Sequence, residues 1–281
     1  MSKYGCDDSL IGHYTCFRTD EKITIDGLLK EEPWENAPKS PRFVDMVTGA
    51  PGFWDTRMAA LWDEKYLYLG FWVEEPNLQA KLTERDSQVY TENDIEVFID
   101  GGDCYYEFQI NALETIYEVF FIWQDAYRKE KRFNRPEFDL FTRKVDILGG
   151  FQDISRYKKH PRGKRWAFLD WDFPGLKTAV HLEGTINNNS DIDKGWTAEL
   201  AFPWQGMELL AGNRSLPPRE GDIWRIYFSR FEKIEYNGFQ PEQSACWSFN
   251  PHGVYDSHIP ECFTYVHFSM QKVKQENQKI G

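Results

Sequence analysis

The sequence predicts an all-β protein, an antiparallel β-sandwich with few short helices and a long insertion. Three observations predict this fold class: many short segments alternate apolar with polar residues, Gly, Asn and Asp turns separate them, and helical periodicity is scarce. At 281 residues, the chain is long enough for one large β domain or two small ones.

Paired strands recur along the chain, joined by polar turns that favour hairpins. One short helix is indicated at residues 203–212, where proline stands in the first turn and glycine ends the segment. Residues 124–165 break the strand rhythm and hold 13 Lys and Arg against 6 Asp and Glu, which predicts a basic insertion over the sandwich. The predicted pairs are 56–62 with 66–73, 95–100 with 105–111 and 177–187 with 196–202, and later strands cover 222–232 and 262–270.

Large aromatic side chains are frequent for a chain this polar. Aromatic residues make up 16% of the sequence, with 11 tryptophans, while the mean hydropathy is −0.63. We expect some of these rings to face a ligand, although a broad sandwich core is an alternative place for them. The net charge of −12 opposes phosphate backbones and anionic membranes, so neither nucleic acid nor a membrane is an expected partner.

The N-terminal segment lacks an apolar run of signal-peptide length, and no stretch of the chain approaches about 18 continuous apolar residues. The sequence as it stands therefore predicts a cytoplasmic protein, whereas a chain that had lost a signal peptide would be extracellular and read the same. The scattered cysteines show no CxxC spacing, which predicts buried or idle thiols rather than a disulfide framework or a zinc site. They are Cys6, Cys16, Cys104, Cys246 and Cys262.

The second hairpin carries a polar face with a glutamate at its centre. Its apolar positions must share one face of the sheet, which fixes the register so that Ile99 lies opposite Tyr106. Glu96 then faces Gln109 on the other side, at the short spacing of cross-strand neighbours. The remaining pairs on that face are Asp94 with Asn111 and Phe98 with Glu107.

This polar face has the chemistry that a sugar needs. A pyranose presents hydroxyl groups around its edge and C–H bonds on each face, so carboxylates and amides suit the edge and aromatic rings suit the faces. Tyr90, just before the strand, supplies such a ring. The alternative is an ordinary solvated outer face, where alternating polar residues are common.

Taken together, these segments resemble the family 9 carbohydrate-binding modules (CBM9) and their relatives with a DOMON-like sandwich. The resemblance covers roughly residues 22–269, and it implies a β-sandwich that grips a terminal sugar between two aromatic rings. Carried over position by position, it places ligand contacts on Tyr90, Glu96, Gln109, Asn111 and Tyr255. The segments that carry it are ITIDG with a following tryptophan, LWDEKYLYL, ENDIEVFID, YYEFQIN, GWTAELAFPW, GDIWRIYFSR, CWSFNP and PECFTYVHF.

The resemblance also predicts how the chain is organised. Residues 1–21 would be an N-terminal extension with the first strand, residues 22–270 a single sandwich and residues 271–281 a polar tail. The expected partner is the end of an oligosaccharide or polysaccharide, with a glycosidase as associated enzyme in polysaccharide catabolism. We expect micromolar or weaker affinity, because few polar contacts offset the lost freedom of a flexible sugar.

Three features depart from the family pattern. Family modules commonly have tryptophan where this chain has Tyr90 and Tyr255, and arginine where it has Gln109, so stacking area and one charged donor are lost. The basic insertion is absent from the smallest members. Near the site it would recognise carboxylated or sulfated sugars, whereas the plainer interpretation is a solvated loop. Such modules usually accompany a glycosidase, whereas we expect no catalytic domain within these 281 residues.

Three other chemistries remain as alternatives. Asp94 and Glu96 project from the same strand face, a spacing compatible with the carboxyl pair of a glycoside-cleaving enzyme; without that role, Asp94 is expected to orient Asn111 or fix a nearby turn. A haem, as in some DOMON-like relatives, would need ligands such as His181 and Met58, which are more often packed residues. A structural calcium ion is also an option, with oxygen ligands from Asp191 and Asp193.

Overall fold

The computed structural model describes residues 6–148, 162–234 and 244–273 of the chain. Short α-helices occur at α1 (Glu32–Asn36), α2 (Gln124–Lys129) and α3 (Glu208–Ala211). The strands are β1 (His13–Arg18), β2 (Val44–Asp45), β3 (Thr56–Trp62), β4 (Tyr66–Glu74), β5 (Asp94–Asp100), β6 (Cys104–Ile110), β7 (Ile116–Trp123), β8 (Val145–Leu148), β9 (Arg165–Phe168), β10 (Lys177–Glu183), β11 (Gly195–Pro203), β12 (Ile223–Glu232), β13 (Ala245–Ser248) and β14 (Thr264–Lys272).

The strands form two groups that β1 joins along one edge. One group runs β10-β11-β4-β3, and the other runs β14-β12-β5-β6-β7-β9-β8, with the short β13 paired to β12 and β2. The inner faces of the two groups pack together: the ring of Phe71 on β4 lies 6.3 Å from that of Phe228 on β12. Phe108 on β6 and Phe202 on β11 meet edge to face at 5.7 Å. The β-sandwich prediction is confirmed.

The three predicted hairpins form, and the second has the predicted register. In the second one, Glu96 pairs with Gln109 and Ile99 with Tyr106, which places the apolar positions of β5 and β6 in the core. The short helical segment also appears, as a 3-10 turn over Trp204–Met207 followed by α3. One departure from an antiparallel sandwich is β1, which pairs in parallel with both β14 and β3.

The described part of the insertion extends the larger sheet rather than lying loosely over it. After β7 the chain forms α2 and two 3-10 turns, then β8. This strand pairs with β9, which in turn pairs with β7, so the insertion adds an edge beside the predicted site. The insertion's residues 149–161 lie outside the described residues, as do residues 1–5 of the predicted extension and 274–281 of the predicted tail.

The prediction that all cysteines are buried or idle thiols is wrong for one pair. Cys6 and Cys262 form a disulfide that ties the N-terminal segment to the loop before β14. Sequence spacing gave no signal, because the two positions lie 256 residues apart and meet only through the fold. Cys16, Cys104 and Cys246 are free and buried. None of the described helices has the length and apolar character needed to span a membrane.

Candidate functional site

A cavity of about 460 Å³ opens on the outer face of the β5–β6 hairpin, on the side away from the sandwich core. Strands β5, β6 and β7 form its floor, β8 and β9 rise along one side, and β12 with the segment after residue 243 rises along the other. The lining residues are Tyr90, Glu96, Glu107, Gln109, Tyr117, Phe121, Asp146, Ile147, Leu148, Ala167, Leu169, Phe231, Ser244, Tyr255, Ser257 and His258.

The floor is a hydrogen-bonded group of carboxyl and amide side chains. The Gln109 amide nitrogen donates to Glu96 Oε1 at 2.8 Å and to Glu107 Oε1 at 2.7 Å. Ser229 Oγ donates to the other oxygen of Glu96 at 2.7 Å. All three floor residues are almost fully buried. The strand alternation therefore places Glu96 and Gln109 together, as the sequence predicts, but at the bottom of a cavity and not on a solvated outer face.

Two half-exposed tyrosines stand on opposite sides of this floor. Tyr90 is 42% exposed and meets Tyr117 of β7 edge to face, with ring centres 5.5 Å apart. Tyr255 is 39% exposed and meets Phe231 of β12 in the same way at 5.8 Å. Since β12 and β7 flank the β5–β6 pair, the two rings border the cavity from either side. The Tyr255 hydroxyl donates to the Ser244 carbonyl at 2.8 Å, which fixes that ring.

Burial changes the acidity of the floor. It raises the pKa of Glu96 to about 7, against the hydrogen bonds that stabilise its charged form. Burial and the nearby Glu96 raise the pKa of Glu107 well above its usual range. Burial, with the nearby Arg165, holds the pKa of His258 well below normal, so this imidazole is neutral at pH 7. The site is therefore rich in acidic groups that carry protons more readily than usual.

Asn111 is not at the cavity, which corrects the prediction that it contacts the ligand. Its side chain is fully buried and donates to the Leu82 carbonyl at 3.0 Å and to Glu92 at 2.6 Å. Its carbonyl oxygen accepts the backbone amides of Leu113 and Thr115. Asn111 follows β6, where the chain turns, so its side chain is used to hold that turn rather than a ligand.

Asp94 is likewise absent from the cavity lining and makes no hydrogen bond to Asn111. It is fully buried and accepts the backbone amide of Phe231 at 3.3 Å. Burial and the neighbouring Glu96 raise its pKa well above normal. Of the two roles expected for Asp94, orienting Asn111 is therefore not seen, whereas fixing a nearby turn stays a prediction. The Asp94–Glu96 pair does not present two carboxyl groups to one ligand.

The residues named for haem and calcium are not assembled into sites. Met58 is fully buried in the core, while His181 lies on β10, three strands away in the same group. The Asp193 carboxylate accepts the backbone amides of Leu78 and Thr185 and so holds a loop. Within the described ranges, no group of three or more His, Cys, Asp or Glu side chains is placed to hold a metal ion. Structural calcium stays a prediction.

Several lining residues were missed by sequence reasoning. The strand pairing puts Glu107 on the same polar face as Gln109, and this shared face is the sequence signal for its place in the cavity. Tyr117 and Phe121 belong to β7, whose alternation points them to the same side. His258 comes from the loop before β14, and nothing in its local sequence shows that this loop folds back over β5.

The insertion contributes Asp146, Ile147 and Leu148 to the cavity wall. Its basic side chains that the structure describes are directed elsewhere. Arg162 pairs with Asp103 at 2.7 Å and Arg135 with Glu208 at 3.2 Å. The part of the insertion that lines the cavity is thus apolar and acidic, contrary to the idea of a cationic wall for acidic sugars; residues 149–161 lie outside the described chain.

Comparison with known proteins agrees with the resemblance seen in the sequence. Residues 25–142 match the family model described as carbohydrate family 9 binding domain-like. This part of the chain includes the β5–β6 hairpin, Tyr90 and Tyr117, whereas Tyr255 lies beyond it. The matched family is one of binding domains, in agreement with the prediction of binding rather than catalysis. No curated protein matches the sequence as a relative.

One solved structure shares the fold over nearly the whole chain, and two others give lower scores. A candidate carbohydrate-binding protein from Bacteroides uniformis aligns with a TM-score of 0.55 at 13% identity, covering 92% of this chain and 100% of its own. A family 9 carbohydrate-binding module from Caldicellulosiruptor kristjanssonii in complex with cellotriose gives a TM-score of 0.47 at 12% identity, with 95% and 98% covered. The same module with glucose gives 0.47 and 12%, with 93% and 99% covered.

Proposed function

We propose that this protein binds carbohydrate without cleaving it, and that the ligand is the terminal ring of an oligosaccharide or polysaccharide. The observation that carries the proposal is the cavity in which two half-exposed tyrosines flank a floor of Glu96, Gln109 and Glu107. The family match over residues 25–142 supports the ligand class. The cavity volume of about 460 Å³ lies in the usual range for small-molecule sites.

Each part of the cavity has a task in this proposal. Tyr90 and Tyr255 stack against the C–H faces of the sugar ring, which hides apolar surface from water. Glu96, Gln109 and Glu107 meet the hydroxyl groups at the ring edge, because carboxyl and amide oxygens accept hydrogen bonds from hydroxyl donors. The floor residues lie on a rigid hairpin, so ordering their side chains costs little free energy when the ligand binds.

Binding rather than catalysis is supported by the family match, which is to a binding domain. The carboxyl pair suggested for glycoside cleavage needs Asp94, which is fully buried and does not line the cavity. We therefore expect the protein to hold a polysaccharide end while a separate glycosidase acts on it.

We also infer an extracellular location from the Cys6–Cys262 disulfide, since disulfides persist mainly in oxidising compartments. A thiol-reactive dye added to the denatured protein should label three cysteines before reduction and five after it, if the disulfide is present in the protein isolated from its host. Five labelled thiols before reduction would contradict this inference.

A glycan array followed by calorimetry tests the proposed function. We expect at least one class of glycans to bind, and expect Tyr90→Ala and Tyr255→Ala each to weaken that binding by about tenfold or more, in line with the worth of one lost aromatic contact. Phe141→Ala is the matched control, because this ring is 96% exposed and does not line the cavity. Unchanged affinity in both tyrosine variants, or hydrolysis of the glycan that Glu96→Gln abolishes, would contradict the proposal.

A further inference from the structure

The charge of the cavity favours one class of sugar. The described lining residues include the carboxyl groups of Glu96, Glu107 and Asp146 but neither lysine nor arginine. Arg165 lies behind His258, where it donates to the Tyr105 hydroxyl at 3.0 Å and to the His258 carbonyl at 2.7 Å, and it does not line the cavity. A ligand in this cavity thus meets acidic groups without a facing cation from the described lining.

The hydrogen bonds of Gln109 also favour a ligand that donates hydrogen bonds. The Gln109 amide nitrogen donates hydrogen bonds to both Glu96 and Glu107, which fixes the direction of the amide group. Its carbonyl oxygen is buried and has no hydrogen-bond partner among the described residues. A buried acceptor without a donor costs free energy, so a ligand that brings donors to this point gains by supplying one. The floor therefore offers a spare acceptor to a ligand.

We propose that this cavity selects sugars bearing a protonated amine over their neutral counterparts, and neutral sugars over uronic acids. This inference rests on the proposed carbohydrate-binding function. An ammonium group brings three donors and a positive charge to a floor of carboxyl groups and a spare amide oxygen. A uronate brings a further negative charge to a buried acidic site, which repulsion and desolvation both oppose.

The titratable groups around Glu107 support the direction of this selectivity. Those that face the cavity are Glu96 of β5, Tyr117 of β7, Asp146 of β8, Tyr90, Tyr255 and His258. The neutral His258, whose Nε2 lies 4.0 Å from Glu107 Oε2, supplies no positive charge, and burial together with the nearby Glu96 raises the pKa of Glu107. A bound ammonium group stabilises the charged carboxylates, so its binding releases protons, whereas binding of a neutral sugar does not.

The experiment is a set of calorimetric titrations at pH 7, in the presence of a chelator. Glucose, galactose and mannose are each compared in three forms: neutral, 2-amino and uronic acid. In at least one ring configuration, we expect the amino form to bind about tenfold more tightly than the neutral form, and the uronic acid to bind least. Titrations in two buffers of different ionisation enthalpy should show proton release with the amino form only.

Two variants test which carboxyl groups cause the preference for amino over neutral sugars. Glu107→Gln should reduce the preference for the amino form by about tenfold. Asp146→Asn should reduce this preference less and leave the fold intact. The Asp146 side chain is exposed, and in the described chain its carboxylate accepts only the backbone amide of Ile147. Glu183→Gln is the control, since it removes an equally negative but exposed side chain outside the cavity and should leave the preference unchanged.

The outcomes separate this inference from the proposed function. Neutral sugars that bind as tightly as their amino forms, or uronic acids that bind more tightly, would overturn the selectivity but leave carbohydrate binding in place. Binding of none of these sugars, in any form, together with an empty glycan array would overturn both. Calcium binding to the sugar-free protein that Glu107→Gln abolishes would assign the carboxyl groups to a metal ion and overturn the selectivity.

Discussion

Two buried acidic clusters include side chains of the larger strand group, and among the described residues only one of them contains its own cation. In the first, which we call the closed cluster, Arg230 pairs with Glu232 at 2.6 Å and with Glu75 at 3.4 Å, and Asn93 donates to both carboxylates. In the second, the floor cluster of Glu96, Glu107 and Gln109, one neutral amide joins two carboxyl groups. Both are almost fully buried.

The difference shows how similar residues serve structure in one place and recognition in the other. The closed cluster uses most of its charge and hydrogen bonds within the protein, since Arg230 also donates to the Glu74 carbonyl at 2.6 Å and Trp196 donates to Glu75 at 2.8 Å. The floor cluster keeps a spare acceptor beside an open cavity. Its missing interactions are those that a ligand can supply.

The largest expected effect comes from opening the closed cluster. Arg230→Met leaves two buried carboxyl groups without their cation and should lower the free energy of unfolding by about 3–5 kcal/mol. Urea unfolding measures this. Arg57→Met is the control, because the Arg57 side chain is 42% exposed and its ion pair with Asp55 should contribute about 1 kcal/mol or less. Similar losses in the two variants would mean that Arg230 does not compensate a buried charge.

The floor cluster should make stability depend on pH. Because the pKa of Glu96 is raised from 4.5 to about 7 in the folded protein, the folded state holds a proton that the unfolded state releases. Its contribution is greatest below about pH 4.5 and is lost as the pH rises through 7. The raised pKa values of Glu118, about 7, and Glu232, about 8, act in the same direction.

Urea unfolding of the wild type and Glu96→Gln between pH 5 and 8 isolates this contribution. The variant should lose less stability across the range, by about 1–3 kcal/mol, since one pKa unit corresponds to about 1.4 kcal/mol. Glu183→Gln, with an exposed carboxylate, should follow the wild type. Parallel curves for the wild type and Glu96→Gln would show that Glu96 titrates normally.

Gln109→Arg would turn the floor cluster into a second closed cluster. The guanidinium group would lie between Glu96 and Glu107, hold both carboxylates charged and remove the advantage of a cationic ligand. We expect the preference for amino over neutral sugars to fall by about tenfold, as measured by calorimetry. A preference that survives this substitution would mean that the amine binds elsewhere.

The smallest effect is expected from Tyr255→Phe. This change keeps the ring and removes only the hydroxyl that donates to Ser244, so stability should fall by about 1 kcal/mol and sugar affinity by less than about threefold. Affinity and stability measured on the same samples separate the two roles. A loss of binding as large as that of Tyr255→Ala would show that the hydroxyl, rather than the ring face, contacts the sugar.

Local pattern predicted the sheet well and the site in part. Alternation fixed the pairing of Glu96 with Gln109, because a shift by one residue would have moved the apolar positions out of the core. Alternation does not tell what covers the opposite face, so the sequence predicts a ligand contact at Asn111, although its side chain holds a turn. The wall of Asp146 and His258 depends on long-range folding of β8 and the loop before β14, for which no local signal exists.

The most direct test of the central claim is a crystal structure of the protein with the tightest-binding glycan from the array. We predict one sugar ring between Tyr90 and Tyr255, with its polar groups on Glu96, Glu107 and the free oxygen of Gln109. A glycan bound on another surface, such as the groove beside Trp72 and Arg57 on the other strand group, would contradict the assignment of this cavity.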